Sequence, residues 1–143
     1  MSPVEQDLII EQELDLVREG IRVQEHLPAD VQRVLQSLRD HLFEEAYDIN
    51  AIIECSEVRK ASIYGRFKVC VGMSLRAYQE ERRMEAARRL LRSRELEIYL
   101  VAYLTGYGSH TSFARAFRRC IGCTPTAYRE KMTRENDGRN LCC

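Results

Sequence analysis

From Pro28 onward the chain is punctuated at short intervals by helix start and stop signals, and no apolar run between them requires a strand. Pro28 suits a first helical turn, and Val31, Val34, Leu35, Leu38, Leu42 and Phe43 follow with helical period to about Ala46. Asp48 offers its carboxylate to the open N–H groups of a short helix, INAIIEC, and a third pattern, RKASIYGRFKVC, sets Ile63 and Phe67 four apart and stops at Gly72. Ser74 caps the longest segment, LRAYQEERRMEAARRLLRS. Here Leu75, Tyr78, Met84, Ala87, Leu90 and Leu91 form one apolar stripe, while Glu81 precedes Arg88 and Glu85 precedes Arg89 at helical spacings, as in a solvated helix with one buried face. EIYLVAYLT is a short buried helix closed by Gly106, Ser109 caps the next helix from His110 to about Cys120, and Thr124-Pro125 opens a last one, TAYREKM. The predicted fold class is all-α, with about seven helices.

The first 27 residues are less decided. Ile10, Leu14, Val17 and Ile21 share one helical face, yet ELDLV and IRVQE flank REG with the alternation of a hairpin. Helix is the favoured reading, as an arm packed on the main domain or on another subunit.

Two stretches share one grammar. A helix over 48–55, a tight turn and a helix over 59–70 form one unit; a helix over 97–105, a turn holding Gly106 and Gly108 and a helix over 110–120 form the other. Both look like helix-turn-helix units, in which the second helix enters the major groove with its early residues at base edges. The predicted organisation is an acidic arm (1–27), a first lobe (28–74), a linker helix (75–92), a second lobe (93–132) and a flexible tail (133–143). Net charge is zero, but its distribution is lopsided: residues 1–57 hold 14 acidic and 4 basic side chains, the rest 18 basic and 8 acidic. An electrostatic footprint confined to the later part of the chain follows. Within GYGSHTSFARAFRR, Phe113 and Phe117 should face inward, which turns His110, Thr111 and Arg115 outward near the helix start, where they suit base edges and phosphates.

The spacing of Tyr78, Arg82, Met84, Ala87, Leu90-Leu91, Ile98, Ala102, Gly106-Tyr107, Ser112-Phe113, Arg115, Phe117-Arg118, Gly122, Pro125 and Tyr128-Arg129 resembles the DNA-binding domain of AraC-type transcription regulators, over roughly residues 30–130. The resemblance implies two helix-turn-helix subdomains joined by a linker helix, in a protein that activates or represses bacterial promoters by binding double-stranded DNA. By that resemblance the second lobe specifies sequence through His110, Thr111, Ser112 and Arg115, and Ser109, Arg118 and Arg119 position the backbone together with Lys60 and Lys68 of the first lobe. The first lobe departs from the family's Leu-x-Arg-x-Phe-Lys pattern: Ile63, Phe67 and Lys68 fit, but Gly65 stands where arginine is expected. Its outward positions become Lys60, Ala61 and Tyr64, suited to phosphate, a thymine methyl or sugar, with Tyr64 equally placed to fill the core. Arg66 is about 100 degrees round the helix from Gly65 and does not replace the missing side chain.

Further partners allowed by this reading are RNA polymerase and, through residues 1–27, a second copy or a related regulator. Gly65 and the acidic first part also motivate an alternative, an interaction protein that keeps the fold but acts on related regulators instead of reading DNA. Only 27 residues precede the lobes, as in a stand-alone regulator or a piece of a longer one.

No catalytic constellation is present, since His26, His41 and His110 fall in different segments without supporting motifs, and no cofactor is implied. Cys120 and Cys123 form CIGC, and Cys142-Cys143 end the chain; together they have the donor types of a zinc or redox site. The plainer expectation is a buried Cys120 beside a frayed tail, with Cys55 and Cys70 filling core space. No apolar run of about 18 residues and no signal peptide is visible, which makes cytoplasmic the expected location and membrane an unexpected partner.

Overall fold

The computed structural model describes the backbone of residues 2–141 and the side chains of residues 2–135. Among the described residues there are eight helices and no strand: α1 (Pro3–Glu19), α2 (Ala29–His41), α3 (Ile49–Ser56), α4 (Lys60–Val71), α5 (Leu75–Leu91), α6 (Ile98–Leu104), α7 (His110–Ile121) and α8 (Pro125–Leu141). Helices α2 to α4 make one lobe and α6 to α8 the other, with α5 touching members of both.

The arm is helical. Ser2 accepts from the Glu5 N–H while Glu5 reaches back to the Ser2 N–H at 2.9 Å, a reciprocal cap that starts the helix at Pro3. Ile10, Leu14, Val17 and Ile21 are all buried, and Arg89 of α5 donates to Glu13 at 3.0 Å, so α1 lies on the linker helix. The alternation that suggested a hairpin places Leu16 on the outside, half exposed.

Two boundaries move. Helix α2 stops at His41, short of Ala46, because the chain turns there to bury Leu42 and stack His41 on Tyr47 at 3.8 Å. Helix α8 continues to Leu141, where a tail from residue 133 was expected; Arg134 and Glu135 are good helix formers and no proline intervenes.

The lobes repeat each other down to single contacts. Helices α4 and α7 both have 12 residues and end at left-handed glycines, Gly72 (φ 95) and Gly122 (φ 94). Ser74 and Thr124 then cap the next helix by accepting from the Ala77 and Ala127 N–H groups. Phe67 meets Tyr78 edge-on at 5.7 Å and Phe117 meets Tyr128 edge-on at 5.5 Å. Gln79 donates to the Tyr47 carbonyl, and Arg129 donates to the Leu96 carbonyl, the residue before α3 in one lobe and before α6 in the other once the caps Asp48 and Glu97 are counted. The stretches VGMSLRAY and IGCTPTAY carry this repeat in the sequence.

The repeat extends to the turns. Gly106 follows α6 with φ 94; its N–H donates to Tyr103 and that of Tyr107 to Ala102, the paired closure of a glycine-ended helix. Glu57 holds the corresponding place after α3 with φ 54, alone among the described non-glycine residues in having a positive φ. Glu57→Gly should therefore raise stability by about 0.5–1 kcal/mol by removing the left-handed cost of a side chain. Urea denaturation reads the difference, and an unchanged or lowered midpoint would show that the Glu57 side chain contributes something the turn does not reveal.

Candidate nucleic-acid interface

Helix α7 is anchored from within. Phe113 and Phe117 are fully buried and meet each other at 5.8 Å, with Tyr107 against Phe113 at 5.5 Å, so the helix is fixed in rotation about its own axis. Its outer face then shows His110, Thr111, Ser112, Arg115, Arg118 and Arg119, all exposed, and no acidic residue. Ser109 accepts from the Ser112 N–H at 3.1 Å, and the Ser112 hydroxyl donates back to the Ser109 carbonyl at 3.0 Å. Both serines thus hold the helix start, while among the described residues Arg115 and Arg118 make no ion pair.

Helix α4 presents the corresponding face with different equipment. Lys60, Ala61, Tyr64, Gly65 and Lys68 are all exposed. Tyr64 is 41 % exposed, so of its two readings the outward one is observed. Lys60 donates to Asn50 of α3 at 3.2 Å. Counting from the helix starts, Gly65 is the sixth residue of α4 and Arg115 the sixth of α7, so the glycine occupies the very register of the second lobe's arginine. A Cβ at Gly65 would meet nothing within 4 Å. Arg66 is bound sideways, with Nε and Nη2 on the two Asp30 carboxylate oxygens at 2.8 and 3.2 Å, and leaves that register empty.

The linker helix was expected to hold the two units at a fixed separation, but the side chain that bridges them was not evident from the sequence. Arg83, in the middle of α5, is buried, and its guanidinium donates to the carbonyls of Leu42 (2.8 Å), Glu44 (3.2 Å) and Gly106 (3.3 Å). Two of these acceptors follow α2 in the first lobe and the third is the turn of the second. The same guanidinium lies over the Tyr107 ring at 5.8 Å. Burial lowers the Arg83 pKa and pushes the Tyr107 phenol up to about 12, so Tyr107 remains neutral beside the cation. Helix α5, expected to hold the two units apart as a solvated helix with one apolar stripe, is buried more widely than that: Gln79, Arg83 and Ala86 are buried in addition to the stripe. Of its charged pairs, Glu85 binds Arg82 and Arg89 binds Glu13, so partners other than the expected in-helix ones are used.

Arg119 is tied back by an ion pair to Glu80 of α5, and the Cys120 thiol donates to the same carboxylate at 2.8 Å. Burial alone would raise the Glu80 pKa, but the bonds from Cys120 and Arg119 and the charges of Arg119 and Arg76 hold it below its usual value. Cys120, expected to be buried, is exposed as a residue, although its sulfur is turned to Glu80; burial of the thiol, the bond to Glu80 and that carboxylate's charge push its pKa up to about 11. Alkylation of Cys120 at pH 8 should accordingly be several-fold slower than that of a peptide cysteine, and Glu80→Gln should quicken it. Mass mapping of alkylated peptides measures this, and equal rates in both proteins would remove Glu80 as a cause. Cys55 and Cys70 also lie at the surface instead of in the core, because Ile52, Ile53, Ile63 and Phe67 already fill the inward faces of α3 and α4. Among the described residues no group of three or more His, Cys, Asp or Glu is arranged to hold a metal; Cys142 and Cys143 lie outside them. No helix of the described residues is long and apolar enough to cross a membrane.

With this geometry in view, similarity to known proteins is informative. A family model for a helix-turn-helix domain matches residues 55–131. The arabinose operon regulatory protein of Escherichia coli (strain K12) is 27% identical over 123 residues, which are 85% of this chain and 42% of that protein. The chain spans less than half the length of the curated relatives it matches. Among solved structures, the C-terminal domain of AraT, a response regulator from Geobacillus stearothermophilus, superposes with a TM-score of 0.70 at 28% identity, covering 75% of this chain and 88% of that one. The DNA-binding domain of AdpA, a global transcriptional factor solved in complex with a target DNA, superposes with a TM-score of 0.63 at 25% identity, covering 71% of this chain and 90% of that one.

Proposed function

The chain belongs to the AraC-type family of helix-turn-helix transcription regulators, and from that premise we propose that it binds promoter DNA with α7 as the reading helix and α4 as an anchoring one. The observation that carries this reading is the shared register of Gly65 and Arg115 on two otherwise matching helices. Both helices lie open at their N-terminal turns, where a recognition helix meets base edges in the major groove. On α7 that turn offers His110, Thr111 and, one turn on, Arg115, whose planar fork pairs with guanine O6 and N7. On α4 it offers Lys60, Ala61 and, one turn on, Tyr64, with Lys68 in the last turn; these suit phosphate, sugar and a thymine methyl, so affinity without much sequence information is its contribution. Ser109 and Ser112 keep the start of α7 in place, Arg118 faces a phosphate, and Arg119 reaches one to the extent that Glu80 releases it. Acidic side chains dominate residues 1–57 and basic ones the remainder, which concentrates the attraction for DNA in the later part of the chain. The curated relatives that match are named as regulators, and one similar solved structure is a DNA-binding domain in complex with a target DNA, which favours this reading over an adaptor that does not read DNA.

Arg115→Ala should weaken a selected site by about 1–3 kcal/mol while leaving binding to random duplexes almost unchanged. Competition binding against both DNAs measures this, and equal loss on the two would remove α7 as the reader. The complementary gain is Gly65→Arg, which restores an arginine in open space and should raise sequence preference at the α4 half of the site; selection from a random DNA pool compares the two proteins.

A further inference from the structure

Between α1, the segment that joins α2 to α3, and α6 runs a groove of about 620 Å³ that the DNA-binding reading leaves unused. Its walls are aromatic: Phe43 and Tyr47 are half-buried on one side, and Tyr103 of α6 stands 71% exposed on the other. Its rim is acidic, with Asp40, Glu44 and Glu45 lining it and Arg18 the one basic side chain. Tyr47 is already fixed for binding, stacked on His41 with planes 3° apart, and His41 is in turn held by Glu44 at 2.6 Å. Aromatic faces framed by carboxylates suit a guanidinium, which stacks on the ring while its N–H fork meets the acid. The chain supplies its own instance: Arg18 lies over the Phe43 ring at 5.1 Å and donates to Asp15 at 2.7 Å. Tyr99, 66% exposed and one turn before Tyr103, extends the aromatic wall beyond the groove.

We propose that this groove is a docking site for an arginine-bearing segment of a partner protein. The acidic rim repels a nucleic acid and also repels the acidic first part of a second copy, whereas a basic segment with apolar residues between its arginines meets both the rings and the carboxylates. Guanidinium stacking, and not charge alone, is what the lining selects. The groove also borders the second lobe's turn, because the Glu45 carboxylate lies against Gly108, so an occupant sits within reach of the start of α7.

The test uses the whole chain and a fluorescent peptide of alternating arginine and leucine, titrated by anisotropy. Saturable binding is expected, weakened about 5–10-fold by Tyr103→Ala and by Phe43→Ala, and several-fold when lysine replaces arginine in the peptide at equal charge. The double change Asp40→Asn with Glu45→Gln should weaken it further, while Asp7→Asn with Glu54→Gln, which removes the same charge from α1 and α3, should not. Equal weakening by both charge pairs, or equal affinity for the lysine peptide, would overturn the proposal in favour of unselective attraction to an acidic surface. Sedimentation provides the other decision: a dimer that Tyr103→Ala dissolves would assign the groove to a second copy and overturn it as well. Tyr103 is exposed, so its replacement tests the groove even if Phe43→Ala loosens the fold.

Discussion

Replacing Arg83 by methionine is expected to destabilise the protein by about 3 kcal/mol, although methionine packs in helices and has nearly the right length. The side chain donates to three backbone carbonyls, and two of them, those of Leu42 and Gly106, take their bond from it, whereas that of Glu44 also accepts from the Tyr47 N–H at 3.1 Å. No carboxylate is bonded to it, so the substitution strands no opposite charge; the loss comes from the carbonyls. Leaving each buried acceptor unmade costs about 1–3 kcal/mol, offset in part by relief from burying a cation. Arg83→Lys is an informative companion: it keeps the charge, but one ammonium does not span three acceptors that a planar fork reaches together. It should recover less than half of the loss. Chemical denaturation gives the energies, and hydrogen exchange of α6 and α7 against α2 and α3 tells whether the lobes now open separately. Cooperative unfolding with unchanged stability in Arg83→Met would mean that apolar packing around α5 alone holds the lobes.

A comparable loss, about 3 kcal/mol, is expected from Gly106→Ala, from two sources that can be separated. The backbone there has φ 94, which costs an L side chain about 1–2 kcal/mol. The added Cβ would also fall 2.9 Å from Cζ and 3.0 Å from Nε of Arg83. An exposed arginine would swing away, but this one is pinned on three carbonyls, one of them belonging to Gly106 itself. In an Arg83→Met background the contact term disappears and the backbone term remains, so Gly106→Ala should cost about 1 kcal/mol less there than in the native protein. Denaturation of the four proteins of this cycle supplies the coupling. Strict additivity would mean that Gly106 is required for its dihedral angle only.

Much of the architecture could be read from local chemistry. Asp48, Ser74, Ser109 and Thr124 all cap the helices expected of them, and Gly72 and Gly106 end theirs, because a cap depends on one side chain and its nearest N–H groups. Ile63, Phe67, Phe113 and Phe117 are inward as their spacing required. Arg83 was not legible for the opposite reason: in ERRMEAARR it is one arginine among four, and its acceptors lie in other elements. The cysteines were misplaced because average burial tendencies say nothing of which face a helix turns inward. Glu80 resembled any exposed acid until α7 brought Arg119 and Cys120 to it. The internal repeat is visible in VGMSLRAY and IGCTPTAY, and aligning those stretches pairs Gln79 with Arg129 on the letters alone.

The bridge made by Arg83 has a further consequence for the DNA the protein is proposed to bind. Two DNA-contacting heads, one reading and one anchoring, on a slack tether would accept half-sites at variable distance, each settling independently. Here a buried guanidinium joins the turn behind one head to the end of α2 behind the other, so on the proposed reading α4 and α7 should act as the two jaws of a fixed gauge. Adding one base pair between the halves of a site rotates one against the other by about 35 degrees, a mismatch that neither jaw is free to follow. Helical phase, and not only the letters under α7, then becomes part of the address.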